Sequence, residues 1–235
     1  ERHCRVLRRD DPVLHRGMSM MRPALLAFGL VTAAGIWLGP LPALAGQYFA
    51  AHMAMHMGVV AIAAPLIAAG LAGTIADPTL RWPRVFSAIP AAMLELVIVW
   101  AWHTPALHHA ARTTTSGLVC EQGLFFLASV FLWISVLGSG NGRTQRLMPG
   151  VTALLLTTAH MTLLGALLAL SPRVLYSHAT DPLSVEAQLD DQHLGGAIML
   201  VVGGVAYLAG GVWLAAQLLQ QRIRQRPTTA RWSRT

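Results

Sequence analysis

YFAAHMAMHMGVVAIAAPLIAAGLAG, residues 48–73, decides how the rest of the chain reads. The run contains no Asp, Glu, Lys or Arg. At ~1.5 Å per residue it is long enough, as a helix, to cross ~30 Å of hydrocarbon. Inside it lie His52 and His56, four residues apart and therefore on one helix face. Neutral imidazoles in hydrocarbon cost free energy unless they find partners. Met53, Met55 and Met57 surround them. Imidazole and thioether together suit a soft or borderline metal such as copper, and Cu(I) in particular.

The remainder of the chain agrees with a membrane setting. Of its 235 residues 54% are hydrophobic and 11% charged, with mean hydropathy +0.53, against about 25% charged in soluble domains. Six apolar segments are readable, roughly 23–39, 48–73, 85–103, 117–138, 148–170 and 193–220. They are continuous rather than alternating, which favours helices over a barrel. The net charge of +7 comes from 17 arginines without a lysine, and these fall on alternate loops. One side holds the arm 1–22, Arg81, Arg84, Arg143, Arg146 and the tail from Arg222 to Arg234; the other holds only Arg112 and Arg173. Such asymmetry is the positive-inside pattern, not a nucleic-acid footprint. The expected fold is all-α: a polytopic membrane protein, a bundle of six transmembrane helices over 23–221 with both termini cytoplasmic. A basic arm (1–22) and a basic tail (222–235) flank it.

Two further readings concern the N-terminal region. Met18, Met20 and Met21 each suit a translation start, so residues 1–17 read as upstream sequence, and His3, Cys4 and His15 carry little weight. Arg22, the apolar stretch and Pro40 to Ala45 also fit a secretory signal ending in an A-x-A cleavage site.

With that orientation the intramembrane polar groups concentrate in the outer half. His52 and His56 lie about 7 and 13 Å below the outer boundary. His103 closes the third segment, with Glu95 about 12 Å beneath it. Cys120, Glu121 and Gln122 open the fourth, His160 sits near the middle of the fifth, and Asp190 to His193 open the sixth. Together they imply one polar or metal-binding cavity facing outward. Each group also has a plainer reading. A single membrane histidine such as His160 commonly serves packing, and Glu95 suits a hydrogen bond to a neighbouring hydroxyl. Cys120 is one thiol near the interface, and His108–His109 suit a solvated loop. Trp100, Trp102 and Tyr176 suit an interfacial belt, and Asp181, Glu186, Asp190 and Asp191 a solvated outer loop. Met is common filler in apolar helices. The glycine pairs 195–196, 203–204 and 210–211 suit close helix packing. No nucleotide, phosphate or nucleophile motif is present.

Several stretches, in order, carry a resemblance. They are Gly39 to Ala45 leading into His52–His56, then Trp102-His103-Thr104-Pro105-Ala106-Leu107, His160, and Asp191-Gln192 followed by Gly195-Gly196 and Ile198-Met199. Over about residues 25–220 the chain resembles the multi-span CtaG family of cytochrome c oxidase assembly factors. The resemblance implies a protein of the bacterial cytoplasmic (inner) membrane that helps mature a terminal haem–copper oxidase by supplying copper, without substrate turnover. It implies His52 and His56 as primary ligands, with His103 or His160 completing the set. Glu121 and Asp191 would support the ligands or line the approach. Leu118 and Gln122 stand where the family pattern leads one to expect histidine, and Cys120 would be the substitute ligand. The partners implied are oxidase subunits, membrane lipids and a periplasmic copper chaperone, with no nucleic acid. The resemblance also argues that the Pro40–Ala45 stretch is retained. Two other readings remain open from the residues: a haem-binding or quinol-linked redox protein with His56 and His160 as axial ligands, and a transporter coupling protons through histidine and Glu95.

Overall fold

The computed structural model describes residues 12–140, 143–176 and 184–225, with side chains over 21–140, 145–176 and 184–223. His3, Cys4, Asp181 and the arginines of the tail beyond residue 225 lie outside the described residues, as does the side chain of His15. Among the described residues the chain is helical, without strands. In order it forms α1 (Pro12–Leu38), α2 (Leu41–Ala45), α3 (Phe49–Met57), α4 (Ala64–Leu71), α5 (Pro78–Arg81), α6 (Ala88–Trp102), α7 (Pro105–Thr113), α8 (Thr115–Leu137), α9 (Arg143–Ala169), α10 (Val185–Ile198) and α11 (Gly204–Gln225). π-helical turns at Gly58–Ala63 and Met199–Gly203 splice α3 to α4 and α10 to α11.

Five stretches are long and apolar enough to cross a membrane: Met21–Leu38, Phe49–Leu71, Thr115–Leu137, Gln145–Ala169 and Val185–Ile223. A sixth exists if α6 and α7 count together, with a 74° bend between them. The bend has a local cause. Pro105 lacks an N–H and disfavours helical geometry at the preceding residue, and Thr104 is indeed extended (φ −69°, ψ 143°). The 108–109 region, expected as a solvated loop, is therefore helix, and His108 is buried. The last segment also begins earlier than 193. The Ser184 hydroxyl accepts from the Ala187 N–H, and Glu186 occupies the first turn of α10, a favourable helix start. Glu186, Asp190 and Asp191 are thus helical, not loop.

The bundle is apolar outside as well as inside. Phe28, Val97, Leu127, Leu163 and Val205 are each more than half exposed, the arrangement a lipid solvent demands. Since lipid supplies no hydrophobic drive between helices, close backbone approach carries the packing. A Cβ on Gly165 would meet the Leu200 N at 2.8 Å, and one on Gly196 would meet the Gly165 carbonyl oxygen at 2.8 Å. Gly70 on α4 lies against Leu26 on α1, where an added Cβ would stand 2.6 Å from the Leu26 N. The glycine-pair packing read in the last segment is confirmed: Gly195 abuts Phe49, Gly203 abuts Met57 and Gly210 abuts Trp133.

Candidate metal centre

α3 places its histidines by being held at its first turn. Tyr48 offers no side-chain cap, and the Phe49 and Ala50 N–H groups donate instead to the two carboxylate oxygens of Asp191 on α10, at 2.5 and 3.1 Å. Asp191 is therefore a cap supplied by a neighbouring helix, and it supports the helix that carries the histidines. Next to it, Gln192 accepts from the Leu175 N–H (2.7 Å) and donates to the Arg173 carbonyl (3.3 Å), tying down the segment after α9.

From this anchor His52 and His56 point at α8, where Glu121 meets both. His52 Nε2 lies 3.1 and 3.3 Å from the two Glu121 oxygens, and His56 Nε2 lies 3.5 Å from one of them. All three residues are about 1% exposed. Their ligand atoms fall within 4.8 Å of one another, a spacing that can hold a metal ion. The His56 Nε2 and one Glu121 oxygen have no hydrogen-bond partner, although buried polar atoms are ordinarily satisfied. The set is two imidazoles and a carboxylate. Met53 and Met57, by contrast, pack against Gly195 and Gly203 on the last helix.

Two further imidazoles flank this trio. His103, at the bend after α6, has its Nδ1 2.7 Å from the Val99 carbonyl. A carbonyl only accepts, so the proton is on Nδ1 and the lone pair on Nε2. That Nε2 is buried without a partner, and the ring centroid lies 6.3 Å from that of His56. His108 on α7 stands 5.1 Å from the His52 ring, packed between Tyr176 (4.1 Å) and Phe49 (5.5 Å), and its Nε2 is also unpartnered. Sequence reasoning left His108 in a loop. The signal that finds it is Thr104-Pro105, a helix start, with His108 and Ala111 three apart on the buried face.

Gln122 is the other residue brought in. Its Nε2 lies 2.7 Å from His56 Nδ1, and its Oε1 accepts from Trp37 Nε1 at 3.4 Å. An amide nitrogen only donates, so in this arrangement the His56 proton is on Nε2, facing Glu121. Phe125 closes the cluster from below, 4.5 Å from the His56 ring.

Other expected site residues are not gathered here. Cys120 is exposed. His160 on α9 is buried with both ring nitrogens unpartnered, and among the described residues no ring contact or ion pair joins it to His56. Glu95 belongs to a separate buried network, accepting from Ser129 (2.5 Å), Tyr207 (2.7 Å) and Thr157 (3.4 Å), with Trp133 stacked on Tyr207. Trp100 is exposed on the outside of the bundle. Trp102 is buried, and Tyr176 donates to the His103 carbonyl at 2.7 Å.

A cavity of about 170 Å³ reaches His52 between α2 and the α7–α8 corner, lined by Pro42, Ala45, Arg112, Thr114 and Leu118. Arg112 reaches across its rim to the Gly46 carbonyl (3.3 Å). Outside the membrane-spanning helices, burial pushes the Tyr176 phenol up to about 12, so it acts as a neutral donor.

Residues 2–221 match the model of one protein family, Caa3_CtaG, described as cytochrome c oxidase caa3 assembly factor. No curated protein and no solved structure matches the chain.

Proposed function

The chain belongs to the cytochrome c oxidase caa3 assembly factor family, and from that premise we propose that it binds copper at His52, His56 and Glu121 and passes it to a nascent oxidase. The observation that carries this reading is the converging trio, two imidazoles and a carboxylate buried within ligand reach of one another, with His–Glu separations of 3.1 and 3.5 Å. His103, with its lone pair already on Nε2, and His108, whose ring stands nearer the trio, are the additional ligands within reach. The donors differ from the expected histidine–methionine set. Imidazole with carboxylate is harder than thioether, and it accepts Cu(II) as well as Cu(I).

Gln122 governs whether His56 can ligate. Turning its amide over would present Oε1 to an Nδ1–H and release the Nε2 lone pair toward the metal. Such outer partners typically contribute 10–100-fold to metal affinity. The role is non-catalytic: copper is cargo, and hand-over requires ligands that exchange. The partners are subunits of a terminal oxidase and a copper chaperone outside the membrane, and the location is a bacterial inner membrane with both termini cytoplasmic. Nothing in the geometry favours haem. Glu121 stands at His56 Nε2, where an iron would have to sit.

The test is copper stoichiometry and affinity of purified protein by chelator competition. Wild type binds about one copper per chain; His52→Ala with His56→Ala loses it while circular dichroism remains that of a folded helical bundle. Undiminished copper in the folded double variant refutes the assignment.

A further inference from the structure

At the opposite, arginine-rich end of the bundle lies a second polar site, independent of the metal reading. Its centre is a cavity of about 340 Å³ lined by Arg22, Ser139, Arg146, Trp213, Leu214 and Gln217. Arg22 begins the first apolar helix, Ser139 follows the end of α8, and Arg146 begins the apolar part of α9. The cavity therefore sits where several spans reach the edge of the hydrocarbon.

The charges around it do not cancel. Asp77, the nearby carboxylate, accepts from the Gly73 and Ser139 N–H groups on one oxygen (2.8 Å each). Its other oxygen accepts from the Thr79 N–H (2.9 Å) and hydroxyl (2.6 Å). Its acceptor sites are thereby filled. Among the described residues Arg22 donates to a neutral group, the Gly73 carbonyl, at 2.9 Å. Arg146 Nη1 and Nη2 are shielded from solvent and have no hydrogen-bond partner among the described residues. Two guanidinium charges against one carboxylate leave a net single positive charge. Arg84 adds to it from a neighbouring cavity of about 290 Å³ that shares Arg146.

We propose that this cavity binds the phosphodiester of an anionic phospholipid. A guanidinium fork matches phosphate oxygens bidentately, and the negative charge of a phosphodiester offsets part of the excess positive charge at the site. Val136, Leu137, Leu147 and Leu214 supply an apolar wall for the glycerol and upper acyl carbons. Trp213, half exposed, stands at the mouth as interfacial tryptophans do. Basic pockets between spans at the positively charged side of a membrane protein have this chemistry.

The test uses delipidated full-length protein in detergent, titrated with short-chain phosphatidylglycerol, short-chain phosphatidylcholine or inorganic phosphate, and read by native mass spectrometry and thermal shift. Wild type takes up one phosphatidylglycerol about tenfold or more tightly than phosphatidylcholine, whose ammonium meets the arginines. Inorganic phosphate competes poorly. Arg22→Gln with Arg146→Gln lowers phosphatidylglycerol affinity about tenfold or more, while Arg173→Gln, at the other end, leaves it unchanged. Three results overturn the proposal: equal binding of the two lipids by wild type, equal competition by inorganic phosphate, or undiminished affinity in the double arginine variant. The first two need only wild-type protein, so a folding failure of the variant does not shelter the proposal.

Discussion

Asp191→Ala is the substitution through which the support of the histidine helix is best measured. The carboxylate holds two backbone N–H groups of α3, at Phe49 and Ala50, from a different helix. α3 has no cap of its own. A hydrogen bond to a charged group contributes roughly 1.5–3 kcal/mol, and loss of a cap costs roughly 0.5–2 kcal/mol. Removing both bonds while the freed N–H groups find water only in part should cost about 3 kcal/mol. For a chain of this size that corresponds to a fall in Tm of roughly 6–12 °C, measured by circular dichroism in detergent. Asp191→Asn keeps one acceptor and turns a donor toward the other N–H, so its loss should be intermediate. His52 donates its own N–H to the Tyr48 carbonyl in that same turn (3.2 Å), so copper affinity should fall with stability in the alanine variant. Glu186→Ala, on the exposed first turn of α10, should leave copper binding unchanged. A Tm for Asp191→Ala within about 2 °C of wild type, with unaltered copper affinity, would refute the view that α3 is positioned from α10.

Two other outcomes follow from the same geometry. Burial by itself would raise the Asp77 pKa, but the hydrogen bonds from Thr79, Gly73 and Ser139 outweigh it and hold the carboxyl below its ordinary range. Its stabilising contribution is therefore complete above the unfolded value of about 4 and fades as pH falls through the lower folded value. The stability advantage of wild type over Asp77→Asn should be constant from pH 7 to about 5 and shrink below about 4, as denaturant unfolding at each pH would show. Cys120→Ser should retain wild-type copper stoichiometry, because the thiol is exposed; loss of copper in that variant would place the thiol in the centre.

Long apolar runs made the spans legible. Their length and the two histidines at i and i+4 depend only on local helix geometry, which tertiary packing did not override. What escaped were features decided by neighbours. Pro105–Thr113 has too many polar residues to read as part of a span, and its burial of His108 follows from the bend at Thr104, a tertiary consequence of one proline. Cys120 and Glu121 were read together, yet adjacent helical residues point about 100° apart; the face of α8 turned to α3 takes Glu121 and Gln122 and leaves Cys120 exposed. Met could be read as filler in an apolar helix, but the glycines at 195 and 203 that receive Met53 and Met57 lie far away in sequence. The π-helical turns have no residue signature at all. Gln122 was marked as a departure from the resembled pattern, and its contact with His56 became visible only once α3 and α8 were placed side by side.

The pocket that reaches His52 holds about 170 Å³, the bulk-liquid share of roughly six water molecules. If copper enters by that path, a space of this size suits a hydrated ion better than a peptide loop or a macrocycle. Whatever carrier delivers an ion by that path must surrender it at the doorstep, and the ion completes the journey alone, trading its water coat for imidazole as it goes. Traffic through the protein would then be set less by docking with a donor than by how readily a solitary ion sheds its shell beside Arg112.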